Sequence, residues 1–196
     1  IVPPNTKLPH AANFLHMLLG LEPSQEDAEV IDTTFVLYAD HTMNASTFTA
    51  RIVASTLADM FSAITAAIAA LKGPLHGGAN EESMKMLEEV GSPDRAEAYV
   101  RDRLERHQKV MGFGHAVYKT MDPRAVVLKR LSKETGERHG DTSWYEISEA
   151  IERTVAEQKG LFPNVDFYAA SVYHTLGIPT DLMTPIFAVA RMAGWT

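Results

Sequence analysis

Apolar side chains recur at three- and four-residue steps along most of the chain, which is the spacing of helices that bury one face. In the first such segment Leu15 and Leu19 share a face, and Gly20 follows where a glycine commonly ends a helix. The pattern predicts a buried helix that stops at Gly20. Ser24 then begins a second amphipathic helix as its N-cap, and that helix runs to residues 40–41.

Residues 48–71 are apolar on nearly every side. Such a segment is typical of a helix in the middle of a large bundle. Asp59 interrupts it, which predicts a break into two helices.

Charged side chains become denser between residues 81 and 159, which indicates a smaller and more solvated domain. Glycine, proline and short polar residues divide the rest of the chain into helices. We expect a helix over 81–90 that stops at Gly91, a second from Pro93 onward, and a third from Asp122-Pro123 to Glu134 that stops at Gly136. We expect a fourth from Asp141 or Thr142 to Lys159, a fifth from near Asp166 that stops at Gly177 and Pro179, and a last one over 183–195. No repeat or long strand-like alternation is present, so we predict an all-α fold of about ten helices in two unequal layers.

Composition narrows the function classes. The 196 residues are 45% hydrophobic and carry a formal net charge of −7, which does not suit a nucleic-acid partner. The absence of cysteine excludes disulfides, thiolate metal sites and a cysteine nucleophile. No apolar run is long enough to cross a bilayer and the chain does not begin like a signal peptide, so we expect no membrane partner and a cytoplasmic location, with the mitochondrial matrix left open.

Three irregular stretches between the predicted helices carry residues that suit chemistry. Residues 73–80 (GPLHGGAN) place His76 among glycines that let a ligand approach the backbone closely. Residues 110–118 (VMGFGHAVY) place His115 after two glycines, without the third glycine of a dinucleotide fingerprint or the Gly-Lys-Ser/Thr of a P-loop. Residues 160–166 (GLFPNVD) place Asp166 near the start of a helix.

Three further residues indicate an anionic substrate. His41 follows an acid at the end of a helix, Arg124 follows a helix-opening turn, and Arg191 lies in an apolar segment. The planar guanidinium pairs with carboxylates through two hydrogen bonds, although a structural ion pair remains an alternative for Arg191. The histidines lie far apart without a second ligand one turn away, so we predict no metal site.

Taken together, four ordered motifs resemble the citrate synthase family. They are residues 39–48 (ADHTMNASTF), residues 73–80, residues 112–118 (GFGHAVY) with the following 122–124 (DPR), and residues 163–167 (PNVDF). The resemblance covers essentially the whole chain, whereas members of the family are about double its length. The chain begins without Met and ends on an apolar segment, so we expect it to be the central-to-C-terminal portion of such a protein.

The resemblance implies a role for each candidate residue. His76 would stabilise the enol of acetyl-CoA, Asp166 would remove the methyl proton, and His115 would polarise the ketone of oxaloacetate. The oxaloacetate carboxylates would be held by His41, Arg124 and Arg191. Coenzyme A would be bound by Val110, Met111, Gly112, Phe113 and Gly114, with Lys119 as a phosphate partner.

Two charge states follow as expectations. We expect His76 to be neutral, because the start of the helix that follows Gly77 would lower its pKa. We expect His115 to work as a positively charged donor to the ketone oxygen.

The implied activity is the condensation of acetyl-CoA with oxaloacetate, followed by hydrolysis of citryl-CoA to citrate and coenzyme A. This is an acyltransferase reaction in which CoA is substrate and product and no cofactor is held permanently. A 2-methylcitrate synthase acting on propionyl-CoA remains an alternative, because one methylene contributes only about 1–3 kcal/mol of discrimination. A catalytically silent helical binding or assembly module is the alternative from another class.

The resemblance also implies two domains. Residues 1–75 and 179–196 would belong to a large domain with the oxaloacetate side and the dimer helices. Residues 76–178 would form a small domain on the CoA side that closes over the substrates. We expect a homodimer or a higher oligomer that pairs through residues 48–71.

Overall fold

The computed structural model describes residues 2–73, 76–115 and 117–196. Pro74 and Leu75 of the GPLHGGAN motif, and Ala116 after His115, lie outside the described residues. The prediction of an all-α fold is confirmed: the described residues form helices and a single isolated bridge between Phe113 and Pro163. The helices are α1 His10–Leu19, α2 Gln25–Tyr38, α3 Ala45–Ser55, α4 Met60–Leu71, α5 Ala79–Val90, α6 Pro93–Glu105, α7 Pro123–His139, α8 Ser143–Lys159, α9 Val165–Thr175 and α10 Met183–Trp195, with a 3₁₀ turn at Thr180–Leu182.

The chain divides into two compact units. The first unit comprises Ile1–Gly78 and Asp181–Thr196, and the second comprises Ala79–Thr180. The sequence placed the first boundary before His76, but His76 bonds to Ser46 and the Gly77 carbonyl accepts from Thr184, both in the first unit. His76 therefore belongs to the first unit. The interpretation of the two units as large and small catalytic domains stays a prediction.

In the first unit, the core lies between α1, α2 and α10. Leu15, Ile31 and Tyr38 are fully buried there, together with Ile186 of α10. Near the end of α10, a Cβ on Gly194 would clash with the Ala39 carbonyl oxygen, so only glycine allows this approach. The close packing brings the end of α10 onto the chain that leaves α2.

Side-chain caps mark the helix starts of this unit. Ser24, Asn44 and Asp59 each accept a hydrogen bond from the backbone N–H three residues later. The predicted helix break at Asp59 is confirmed, as is the stop at Gly20, which has a left-handed backbone. These boundaries were predictable because caps depend only on neighbouring residues.

The expected burial of residues 48–71 is wrong for the single chain. Helices α3 and α4 pack on each other through small side chains, whereas a row of large apolar side chains is exposed. Phe61 is 83% exposed, and Phe48, Ile52 and Met60 are each more than half exposed. An all-round apolar sequence does not reveal whether the neighbour is the same chain or another one.

In the second unit, α9 lies at the centre. Phe167, Tyr168, Ala170 and Tyr173 are buried where α5, α7 and α8 pack around it. This arrangement places the start of α9, with Asp166 in its first turn, at the edge of a rigid core.

The predicted stop of α7 at Gly136 is wrong. The helix continues to His139 and ends at Gly140, which has φ +75°. Gly140 N–H bonds to the Glu137 carbonyl at 3.3 Å and Asp141 N–H to the Gly136 carbonyl at 3.0 Å, the paired bonds of a Schellman motif. Gly136 is a glycine for another reason, since a Cβ would come within 2.8 Å of the Asp141 carbonyl oxygen.

Candidate active site

The imidazole of His76 is held by the start of helix α3. Its Nε2 lies 2.9 Å from Ser46 Oγ and 3.3 Å from Ser46 N. Ser46 is buried, and its hydroxyl also donates to Asn44 Oδ1 at 2.8 Å. Asn44 in turn caps α3 by accepting from Thr47 N–H at 3.0 Å. Asn44 and Ser46, both in the motif at residues 39–48, thus hold the His76 ring in place.

This support favours one tautomer of His76. A backbone N–H can only donate, so the bond from Ser46 requires Nε2 to accept. The proton of the neutral ring is then on Nδ1, which is the donor nitrogen of this tautomer. The Ser46 hydroxyl has one proton and two possible acceptors, Asn44 Oδ1 and His76 Nε2. When it donates to His76, Nε2 accepts two hydrogen bonds, one from the hydroxyl and one from the Ser46 backbone N–H.

The pKa of His76 lies below its ordinary value, as predicted, but the cause differs. Burial lowers the pKa most, and the positive charge of Arg191 lowers it further. The helix start that meets the ring is that of α3, which is 30 residues away, rather than that of the helix following Gly77. Sequence proximity therefore suggested the wrong helix.

Arg191 and His41 lie where α10 meets the end of α2. Arg191 is only 1% exposed, its Nε donates to the Tyr38 carbonyl at 2.6 Å, and its guanidinium lies 4.7 Å from the centre of the Phe187 ring. His41 follows that helix end and is half-buried, and Thr42 after it has φ +51°. The carbonyl bond and the ring contact hold the Arg191 guanidinium in one orientation, as a carboxylate-binding arginine requires.

Arg124 is oriented by a residue that the sequence suggested only as a helix cap. The buried carboxylate of Asp122 accepts from Arg124 N, Nε and Nη2 at 2.9, 3.1 and 2.7 Å. Burial raises the pKa of Asp122, but the bonds from Arg124 outweigh it and hold the pKa below its ordinary value. An acid two residues before an arginine at a helix start is the signal that could have revealed this pair.

The expectation of a positively charged His115 is wrong. Its Nδ1 accepts from Val117 N–H at 3.0 Å and Tyr118 N–H at 3.1 Å, which a protonated ring cannot do. Burial lowers its pKa most and Arg124 lowers it further, against an opposing effect of Asp122. The proton of the neutral ring is on Nε2, which lies 3.5 Å from Arg124 Nη2. Both groups are donors, so this contact is not a hydrogen bond. His115 is therefore a neutral donor with fixed orientation.

The segment before His115 pairs with the segment before Asp166. Gly114 N–H bonds to the Phe162 carbonyl at 2.9 Å, and Asn164 N–H bonds to the Gly112 carbonyl at 2.8 Å. Gly112 has φ +79°, and a Cβ there would come within 2.8 Å of Phe167, so only glycine fits. His115 and Asp166 therefore follow two backbone segments that are hydrogen-bonded to each other.

Two cavities flank these paired segments. The larger, of about 430 Å³, is lined by Val110, Met111, Gly112 and Phe113, four of the six residues predicted to bind CoA. The other two, Gly114 and Lys119, line a cavity of about 190 Å³ together with His115. Leu161 borders both cavities.

The larger cavity has two cations that the sequence reasoning missed. Lys109 precedes the glycine-rich loop, and Lys159 ends α8 immediately before Gly160. A lysine immediately before each of the two irregular connections, 110–118 and 160–166, was the available signal.

The structure thus gathers the candidate residues into one set in each unit. The first contains His41, His76 and Arg191, and the second contains His115, Arg124 and Asp166. Among residues 2–73, 76–115 and 117–196 there is no group of three or more His, Asp or Glu side chains that could hold a metal ion. Over the same residues, every helix is too short or too polar to cross a membrane.

Comparison with known proteins gives one consistent family. Residues 1–196 match the family described as citrate synthase, C-terminal domain. The chain is 58% identical over 185 residues to citrate synthase 2 of Bacillus subtilis (strain 168), covering 94% of this chain and 50% of that protein. It is 49% identical to the 2-methylcitrate synthase of Shewanella oneidensis, covering 94% of this chain and 49% of that protein.

A solved structure is similar over nearly the whole chain. It is the ternary complex of carboxymethyl coenzyme A and oxaloacetate with the citrate synthase of Thermoplasma acidophilum. The TM-score is 0.92 at 37% identity, with 98% of this chain and 52% of that one covered. The chain spans about half the length of the curated relatives that it matches.

Proposed function

Because this chain belongs to the citrate synthase family, we propose that the full-length protein condenses acetyl-CoA with oxaloacetate and hydrolyses citryl-CoA to citrate and coenzyme A. The observation that carries the proposal is that Nε2 of His76 accepts from the start of α3, which makes Nδ1 the donor nitrogen of a ring whose pKa is lowered. A thioester enolate needs such a donor, since its oxygen gains negative charge as it forms.

Enolisation is the first step. The Asp166 carboxylate takes a proton from the acetyl methyl group, the C–H electron pair forms the C=C bond, and the thioester oxygen receives the displaced pair. A carboxylate is too weak a base to remove this proton unless the developing charge is stabilised. The Nδ1–H of His76 donates to that oxygen and supplies the stabilisation.

Condensation is the second step. The enolate carbon attacks the ketone carbon of oxaloacetate, the C=O π pair moves to the ketone oxygen, and the Nε2–H of His115 donates a hydrogen bond to that oxygen as its negative charge develops. Asp166 releases the proton that it took and the new alkoxide is protonated, so His115 stays neutral. Arg124, with its Nη2 3.5 Å from His115 Nε2, binds a substrate carboxylate together with His41 and Arg191. Water then attacks the citryl thioester carbonyl, the C–S bond breaks, and the CoA thiolate leaves and is protonated.

The two cavities are proposed to hold coenzyme A. The larger cavity takes the nucleotide, with Lys109 and Lys159 as phosphate partners. The smaller cavity, which includes Lys119 and His115, takes the part of the molecule nearer the thioester. The support is that the cavities adjoin at Leu161 and that the reacting histidine borders only one of them.

A second candidate is 2-methylcitrate synthesis from propionyl-CoA. The 49% identical Shewanella oneidensis relative carries that name, and the residues described above suit both acyl groups. Turnover numbers with acetyl-CoA and propionyl-CoA under one set of conditions distinguish the two. A silent assembly module would turn over neither and would not be stabilised by oxaloacetate.

The exposed side of α3 and α4 supports a second copy of the chain as partner. Phe48, Ile52, Met60 and Phe61 are each more than half exposed, and large apolar side chains exposed together mark interaction surfaces. We propose a homodimer or higher oligomer that covers these side chains. The cytoplasm is the proposed location.

The test of the proposed function is the Asp166→Asn substitution in the full-length protein. Loss of the base should abolish condensation, while oxaloacetate still binds because its partners are unchanged. Asp141→Asn serves as the control, since the Asp141 carboxylate accepts from Ser143 N–H before α8, outside the site. Retained turnover in Asp166→Asn would exclude Asp166 as the base.

A further inference from the structure

The carboxamide of Asn164 uses both of its ends. Its Oδ1 accepts from Asp166 N–H at 3.0 Å, and its Nδ2 donates to the Gly114 carbonyl at 3.2 Å. Gly114 immediately precedes His115. One side chain is therefore bonded to the segment that carries the proposed base and to the segment that carries the proposed ketone donor.

Helix capping alone does not call for an amide at this position. An N-cap needs one side-chain oxygen, and Ser, Asp and Asn serve about equally well. Ser24 and Asp59 show this at α2 and α4, where their oxygens accept from the helix start. The Nδ2 bond to Gly114 is an addition that serine cannot reach and aspartate cannot donate.

The segment before His115 needs restraint from outside itself. Gly112 and Gly114 both have positive φ, at +79° and +80°, and glycine is the residue with the widest choice of backbone conformations. The two backbone bonds to residues 162 and 164 and the packing of Phe113 on Phe167, with ring centres 4.5 Å apart, restrain one side of the segment. The Asn164 amide holds the carbonyl adjacent to His115.

We propose that Asn164 is a positioning residue, whose carboxamide fixes His115 relative to Asp166 for the condensation; this inference rests on the proposed function. The groups act in successive steps on one carbon framework, so their separation must suit both steps. A displacement of about 1 Å in a reacting group lowers the rate by up to about 10²-fold. Asn164 also borders the larger cavity, so bound CoA lies against the same side chain.

The test compares Asn164→Ser and Asn164→Asp in the full-length protein with Asp141→Ala. Both Asn164 variants keep the cap oxygen and lose the bond to Gly114. Asp141→Ala removes a cap-like bond to Ser143 N–H in the same unit, away from the site. We expect kcat to fall about 10- to 100-fold in both Asn164 variants, with the KM for oxaloacetate changed less than about twofold. Asp141→Ala should keep the wild-type kcat.

Two readouts separate positioning from simple destabilisation. Hydrogen exchange at Gly114 N–H should be faster in Asn164→Ser than in wild type, while exchange at Asp166 N–H is unchanged because the cap remains. The pH–rate profile should keep its shape in Asn164→Ser. In Asn164→Asp the acid limb should move to higher pH, because the new carboxylate raises the pKa of Asp166.

The outcomes are distinct. Wild-type kcat in Asn164→Ser, or an equal loss in Asp141→Ala, would overturn the positioning role and leave the proposed function intact. Unchanged exchange at Gly114 with a reduced kcat would also overturn it, since the amide would then act in some other way. A wild-type protein that forms neither citrate nor 2-methylcitrate would overturn the proposed function and this inference with it.

Discussion

The two candidate histidines, one in each unit, are held in opposite ways. His76 is held by Ser46, 30 residues earlier, through a hydroxyl and a backbone N–H that both meet Nε2. His115 is held by its own following turn, where two backbone N–H groups meet Nδ1. The comparison teaches that a neutral imidazole can be oriented by tertiary packing or by neighbouring backbone, and that the two routes use different ring nitrogens as the acceptor.

The largest expected effect comes from replacing each histidine by amides that mimic one nitrogen. The amide nitrogen of Asn corresponds in position to Nδ1 of histidine, and that of Gln to Nε2. His76→Asn should therefore keep more activity than His76→Gln, and His115→Gln more than His115→Asn. The unfavourable member of each pair should lose about 10²–10³ in kcat, the cost of an oxyanion donor. Steady-state kinetics check the ranking, and the reverse order at either position would contradict its tautomer.

The second test removes the supports. Ser46→Ala should lower kcat about 3- to 10-fold, since it removes a hydrogen bond of about 0.5–1.5 kcal/mol and leaves the Ser46 backbone N–H. Val117→Pro removes one N–H from Nδ1 of His115 and should have an effect of similar size. Val117→Ala keeps that N–H and is the matched control. Equal kcat in Val117→Pro and Val117→Ala would exclude the local route.

A smaller effect is expected from pH. Both histidine pKa values lie below the ordinary value of about 6.5, so below that pH the unfolded chain binds more protons than the folded one. The contribution of the two histidines to the free energy of unfolding is therefore complete above about pH 6.5. It is lost as the pH falls from there through the lowered pKa values of the folded protein. Thermal midpoints measured from pH 7.5 to 5 should fall less steeply in a His76→Asn, His115→Gln double variant. Parallel curves would contradict the assigned shifts.

The smallest expected effect concerns the cavity lysines. Lys109→Ala and Lys159→Ala should each raise the KM for acetyl-CoA several-fold and leave kcat unchanged, because a phosphate contact binds ground state and transition state alike. Lys119→Ala, in the cavity that contains His115, tests whether that lysine also binds phosphate. Lys7→Ala, far along the chain from either cavity, is a control. If the KM for acetyl-CoA is unchanged in all three cavity variants, the proposed binding position of CoA is wrong.

The sequence predicted the features that depend on adjacent residues. The caps at Ser24 and Asp59 and the stop at Gly20 follow from single residues at helix ends, and the structure has them. Three candidates, His41, His76 and His115, were found because they lie in connections between helices. Arg124 and Asp166 were found near helix starts, and Arg191 as a cation in an apolar segment. The roles given to them in catalysis stay predictions.

Features that depend on tertiary contacts were missed. Gly136 and Gly140 are equally plausible helix stops in sequence. In the structure Gly140 has the left-handed backbone, whereas Gly136 lies within the helix against the Asp141 carbonyl. The charge of His115 was predicted wrongly because it depends on where Nδ1 points. The support of His76 by Ser46 and the double bonding of Asn164 join segments 30 and 50 residues apart, beyond the reach of any local pattern.

The way each histidine is held affects which neighbouring residues can change during evolution. The donors to His115 are the backbone N–H groups of Val117 and Tyr118, which every amino acid except proline supplies. Random codon changes at these two positions therefore leave the tautomer of His115 in place. The hydroxyl that supports His76 is lost with almost any change at Ser46. Among distant homologues, residues 117 and 118 should accordingly vary more freely than residue 46.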